Sequence, residues 1–141
     1  MTIQRTRYRT QWATQFFAAA ELTRRGYLVS LTFGNAQVAD LLVQSPNGNH
    51  FTVDVKGQSS KGFWLIQQRR PSLPDHYFIL VYLPKNGEPP KYYILRSEEL
   101  MKKREEYKQY VLPKGRYRDH LGGINWTTAF QYENNWGALP L

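Results

Sequence analysis

Between residues 38 and 56 a mostly apolar block and an alternating apolar–polar block flank one turn. Phe51, Val53 and Val55 are apolar while His50, Thr52, Asp54 and Lys56 are polar, the period-two pattern of a half-buried strand. Successive strand side chains point to opposite faces. Asp54 and Lys56 therefore share one face, and Val53 and Val55 share the other, which can be buried. Val38 to Gln44 reads as the preceding strand, with Ser45-Pro46-Asn47-Gly48-Asn49 as a hairpin turn. A two-residue Asn47-Gly48 turn would set Asp40 opposite Val55 and put an acid on the apolar face. A three-residue loop instead places Pro46 and Asn47 at the centre of a type I turn and Gly48 in the left-handed conformation, where a missing Cβ costs nothing. The expected register then pairs Asp40 with Asp54, Leu41 with Val53 and Val43 with Phe51.

The same reading extends outwards. Thr10 or a neighbour starts a helix through Trp12, Phe16, Phe17, Ala20 and Leu22 to Arg25, with Gly26 as its stop. Trp12, Phe16, Ala19 or Ala20, and Thr23 recur at helical spacing and are expected to pack on the core. Tyr27 to Phe33 reads as the first strand and Gly34-Asn35-Ala36 as a link. Gly57 is expected to end the strand carrying Asp54, opening a polar loop to Gly62 that lacks the spacing of a phosphate-binding P-loop. A short strand follows from Phe63 to Gln67. Arg69 and Arg70 then precede Pro71, and either contact a nucleic-acid backbone or stay solvated.

His76 to Leu83 is a nearly continuous apolar run, suited to a central strand buried on both faces. The 19 residues from Gly57 to Asp75 suffice for a crossover to a parallel neighbour. Lys91 to Leu95 is a further strand, and Ser97 caps a helix to about Tyr110, with Glu98 and Glu99 at the positive end of its dipole. Asn125 is expected to cap a short helix from Trp126 to Phe130. The tail aromatics and arginines, Arg116, Tyr117, Arg118, Trp126, Phe130, Tyr132 and Trp136, are expected to pack back on the core, with base stacking as the alternative. The pattern predicts an α/β fold, a mixed central sheet flanked by helices. It is expected to form one domain, 1–141, with a core at about 10–112 and an aromatic tail at about 113–141.

Directly paired positions bring two carboxylates to Cβ separations of roughly 5 Å. Like charges that close call for a cation. Mg²⁺ or Mn²⁺ suits carboxylate, carbonyl and water oxygens, and the chain has no cysteine to offer a softer site. Such an ion would polarise a phosphoryl oxygen and acidify a bound water, while Lys56 orients that water or neutralises charge developing on phosphate. Glu21, on the first helix one turn before the sheet begins, is positioned to join them, or else is an ordinary solvated charge beside Arg24 and Arg25. His50, His76 and His120 lack zinc-ligand spacing. Cysteine nucleophiles are excluded, and no Ser-His-Asp arrangement stands out.

In this order, a helical Glu21, then Asp40, then Asp54-x-Lys56, the residues resemble the PD-(D/E)XK nuclease superfamily, the restriction-endonuclease-like fold that includes Holliday-junction resolvases. The resemblance covers residues from about 10 to 95. It implies that Asp40 and Asp54 bind the metal with the Val55 main-chain carbonyl, that Glu21 completes the site directly or through water, and that Lys56 assists the nucleophilic water. Gln58 would contact metal-bound water or substrate. The segment Gly57 to Asp75 departs from the family pattern, lacking an obvious amphipathic helix after the D-x-K strand.

The formal charge of +8 and a pI near 9.8 create a field that attracts a polyanion, nucleic acid being the simplest. The resemblance favours DNA over RNA. No apolar run approaches the roughly 20 residues of a membrane span, and the N-terminus does not lead into a signal-peptide core. A soluble cytoplasmic protein without membrane association is expected. The expected function is a Mg²⁺-dependent DNA endonuclease, with a homodimer as an option because duplex cleavage needs two cuts. The alternatives are a noncatalytic nucleic-acid-binding or protein-interaction module, and an accessory subunit of a defence or mobile-element system that needs a partner.

Overall fold

In a computed structural model that describes residues 3–32, 39–67, 74–115 and 122–141, the Ser45 to Asn49 turn closes with Gly48 at a φ of +92°. The Gly48 N–H donates to the Ser45 carbonyl at 2.9 Å, and the Asn49 N–H donates to Ser45 Oγ at 2.9 Å. Strands β2 (Leu41–Gln44) and β3 (His50–Gln58) pair with Leu41 opposite Val53 and Val43 opposite Phe51, the expected register. The Asp40 N–H donates to the Val53 carbonyl at 3.1 Å, which continues the ladder past β2 and sets Asp40 beside Asp54.

The sheet is mixed and five-stranded, in the order β1-β2-β3-β5-β6. Strand β1 (Leu28–Leu31) pairs antiparallel with β2, β5 (His76–Tyr82) pairs parallel with β3, and β6 (Lys91–Arg96) pairs antiparallel with β5. Every β5 residue but Tyr82 is buried, as its apolar run requires. Strand β3 does not stop at Gly57 but runs on to Gln58, because β5 still offers Val81 and Tyr82 as partners there. Gly57 lies where the first helix, α1 (Ile3–Arg24), comes down on the strand, and a Cβ would overlap the Thr14 hydroxyl.

The expected core stripe of α1 is corrected. The buried face is Thr14, Gln15, Ala18, Ala19 and Leu22, while Phe16 and Phe17 are 51% and 42% exposed and Ala20 and Thr23 face outwards. Small and polar side chains let the helix backbone approach the sheet closely, which Trp12 and Phe16 would prevent. Those two rings stack on each other instead, with centroids 5.7 Å apart. Ala18, Ala19 and Leu22 pack with Leu41, Val43, Val53, Val55, Ile79 and Ile94 to form one core.

The second core lies on the opposite face, where Phe78, Leu80, Tyr93 and Leu95 meet Leu100 of α2 (Ser97–Val111), Trp64 of β4 (Phe63–Leu65) and Ile124 of β7 (Gly123–Asn125). β4 and β7 form a small antiparallel sheet, so close that a Cβ at Gly123 would overlap the Trp64 carbonyl. Helix α3 (Trp126–Ala129) follows directly. The described part of the β3–β5 crossover carries β4 and no helix.

Two expected caps are absent. β6 runs straight into α2, so Arg96 takes the extended cap position and Ser97 becomes a buried first helical residue; Asn125 sits at the α3 cap without a side-chain hydrogen bond. The tail packs back on the core through Trp136 and Trp126, whereas Phe130 is exposed. The link Gly34 to Ala36, Arg69, Arg70, Arg116, Tyr117, Arg118 and His120 lie outside the described residues. No helix among the described residues is long and apolar enough to cross a membrane.

Burial and neighbouring acids raise several tyrosine pKa values. Tyr92 is pushed up to about 12, mainly by burial and then by Glu21. Tyr93 is raised by burial and Glu133, and Tyr132 by burial and by the hydrogen bond it donates to Glu99 at 2.7 Å. Unfolded tyrosines ionise near pH 10, so this contribution to stability is complete below pH 10 and is lost as pH climbs through the folded values. Ultraviolet titration should show a set of tyrosines that ionise only as the protein unfolds, and thermal stability should fall steeply above pH 10. A titration complete near pH 10 with the fold intact would contradict the packing of these rings.

Candidate functional site

Beyond Asp40, β2 no longer covers the edge of β3, so the Val55 N–H and carbonyl need other partners. Asp40 Oδ2 accepts from the Val55 N–H at 2.8 Å, and Gln11 Nε2 donates to the Val55 carbonyl at 2.9 Å. One peptide is thus clasped by an acid from the start of β2 and an amide from α1. The clasp follows from local rules: the turn sets the register that delivers Asp40, and Gln11 lies one turn before Thr14, which seats the helix on Gly57.

On the face of β3 turned away from α1, Asp54 is 2% exposed. A buried carboxylate requires polar or positive company, and His76 supplies some of it, with Nε2 3.5 Å from Asp54 Oδ2. The imidazole Nδ1 lies 2.6 Å from Thr52 Oγ1, and the ring meets Phe78 edge-on at 5.2 Å. Lys56, two residues beyond Asp54, is partly exposed and lines a groove of ≈ 560 Å³. Thr6, Arg7, Thr10 and Gln11 of α1 form one wall of this groove, and Gln58, Ser59 and Ser60 extend the other. Among the described residues, Gln15 Oε1, Gln58 Nε2 and His76 Nε2 are buried without a hydrogen-bond partner.

Of the residues singled out in the sequence, Asp40, Asp54, Val55, Lys56 and Gln58 are drawn together on this part of β3. Glu21 is not gathered with them. Its carboxylate is held by Arg25 at 3.0 Å and Arg24 at 3.6 Å. It lies ten residues beyond Gln11, about 15 Å further along the helix axis at 1.5 Å per residue. Among the described residues no three acids or histidines cluster closely enough to hold a metal ion. The oxygen donors on this segment are the Asp40 and Asp54 carboxylates and the second lone pair of the Val55 carbonyl. That hard, all-oxygen set fits a Mg²⁺-type ion, which commonly takes one or two carboxylates and completes its shell with water and phosphate oxygens.

Sequence reasoning passed over Gln11, Gln15, Thr52, His76, Arg7 and Thr10. A polar residue heading an apolar strand was the available signal for His76. Gln11 and Gln15 were hidden because aromatic residues dominate the helical period.

No protein-family model matches the chain. No curated protein matches it either. Among solved structures the chain is similar to a bacterial homing endonuclease, with a TM-score of 0.56 and 18% identity, covering 92% of this chain and 87% of that one. The likeness establishes a shared fold.

Proposed function

We propose that this chain is a metal-dependent nuclease of the PD-(D/E)XK kind, cutting DNA endonucleolytically with Mg²⁺ or Mn²⁺. The observation that carries the reading is the juxtaposition of Asp40 with Asp54-Val55-Lys56, where Lys56 shares a groove with Arg7. The fold shared with an endonuclease supports it. Asp40, Asp54 and the Val55 carbonyl would hold the ion, which when bound supplies Lewis-acid polarisation of a phosphoryl oxygen. Lys56 neutralises charge developing on the phosphate, and Gln58 offers an amide to substrate or water. Arg7 and the hydroxyls of Thr6, Thr10, Ser59 and Ser60 position the nucleic-acid backbone without reading sequence. Gln11 keeps the Val55 peptide in place, so on this reading the helix contributes an amide and Glu21 stands outside the machinery.

The test is cleavage of supercoiled plasmid and of single-stranded DNA with Mg²⁺ or Mn²⁺, against a chelator control. Nicking that requires the metal supports the assignment. A noncatalytic nucleic-acid-binding module is the second reading, favoured by the near-complete burial of Asp54; DNA binding without metal-dependent cleavage would select it.

Two further outcomes follow from the site. Glu21→Gln removes partly buried ion pairs with Arg24 and Arg25 and the charge beside Tyr92, away from the site, and should leave the cleavage rate within about twofold of wild type, with a stability change on the order of 1 kcal/mol. A loss of cleavage by orders of magnitude would return Glu21 to the site. Arg7→Ala should weaken DNA binding evenly across sequences and lower the slope of log affinity against log salt by about 1. An unchanged salt slope in fluorescence anisotropy would remove Arg7 from the backbone track.

A further inference from the structure

We infer that His76 is a positioning residue for Asp54: its Nε2–H steadies the buried carboxylate, and Thr52 sets the ring tautomer that puts the proton there. The inference rests on the nuclease reading of the site and adds an outer partner to it.

The register creates the arrangement. Thr52 pairs with His76 and Asp54 with Phe78 across the parallel β3–β5 ladder, so all four side chains rise from the same face of the sheet. The His76 side chain has no exposure and that of Asp54 has 3%. The Phe78 ring limits rotation of the imidazole, whose two nitrogens face different partners. Nδ1 meets the Thr52 hydroxyl at 2.6 Å, and Nε2 meets Asp54 Oδ2 at 3.5 Å, longer than an ideal hydrogen bond.

The tautomer follows from the chemistry of those partners. A hydroxyl can donate or accept, whereas an ionised carboxylate only accepts. If Nδ1 carried the sole ring proton, the Nε2 lone pair would face the carboxylate and repel it. With the proton on Nε2, Thr52 donates to Nδ1, and Nε2–H faces Asp54 Oδ2 across 3.5 Å as an electrostatic contact rather than a formed hydrogen bond. Groups that hold metal-ligating side chains in place commonly contribute 10–100-fold to metal affinity or activity. A buried carboxylate that must meet an ion at the strand edge has much to gain from such support.

The test uses the full chain with Thr52→Val, His76→Gln and His76→Leu, each checked by thermal melting. In wild type, ¹⁵N–¹H correlation spectra should show His76 protonated at Nε2, and Thr52→Val should erode that preference. Thr52→Val should raise the Mn²⁺ concentration for half-maximal cleavage roughly 10-fold or more, with KM for plasmid unchanged. His76→Gln, which keeps an N–H donor, should retain more activity than His76→Leu. An Nε2 without a proton, or Mn²⁺ half-saturation unchanged in Thr52→Val, would overturn the inference, as would equal losses in folded Gln and Leu variants. If wild type does not cleave DNA at all, the nuclease reading fails separately. The spectra and Mn²⁺ binding followed by electron paramagnetic resonance then still decide the role of His76.

Discussion

Asp54→Asn and Lys56→Ala should each lower metal-dependent plasmid nicking by at least 10²–10³-fold, the cost typical of removing one group that stabilises charge in a transition state. Asn matches Asp in shape, so the variant keeps the packing against His76 and Phe78 and loses mainly the negative charge. Lys56 is partly exposed on the groove wall, and its truncation should leave the melting temperature nearly unchanged. Initial nicking rates, with circular dichroism melts of the same preparations, separate lost chemistry from lost folding. Two folded variants cutting at the wild-type rate would sink the proposed site. Asp40→Asn should fall between these and wild type, because an amide oxygen can still accept the Val55 N–H while contributing no charge to an ion.

The second large effect concerns stability. Trp64→Ala should destabilise the fold by about 3–5 kcal/mol, the usual cost of emptying a large buried aromatic position. Trp64 is 2% exposed, stacks on Trp126 with centroids 5.8 Å apart, and meets Tyr93 at 5.5 Å. The Trp126 main-chain N–H donates to the Gly62 carbonyl at 2.8 Å, and Lys61 lies over the Trp126 ring at 5.5 Å. The loop that lines the groove is therefore tied to the segment that Trp64 and Trp126 pack together. For a chain of 141 residues, such a loss should lower the melting temperature by roughly 10 °C or more. A shift of a degree or two would mean that the small β4–β7 sheet contributes little to the cooperative unit.

These predictions draw on different kinds of information. The hairpin was legible because every part of its argument is local. Pro46, Asn47 and Gly48 define a turn, alternation assigns the faces, and only one register spares an acid from the apolar side. Turn geometry and alternation together place Asp40 beside Asp54. Ser97, by contrast, looked like a cap because local chemistry favours one; β6 runs directly into α2 and leaves no extended position for it to occupy. Trp12 and Phe16 misled for a related reason. Hydropathy identifies the most apolar stripe of a helix, but the stripe that docks is the one whose small side chains allow close approach, here Ala18, Ala19 and Thr14 over Gly57.

The sequence by itself determined the β2–β3 register, the sharing of one face by Asp54 and Lys56, and the central position of the His76 strand, since each follows from turn geometry, period-two alternation or apolar run length. Only the tertiary structure decided that Gln11 rather than Glu21 reaches the Val55 peptide, that His76 stands opposite Thr52 and beside Asp54, and that Arg7 and Thr10 face Gln58 across a groove. Those contacts join residues far apart in the chain. Their partners are selected by how closely α1 approaches the sheet and by the parallel offset of β5 on β3, which no short window of sequence encodes.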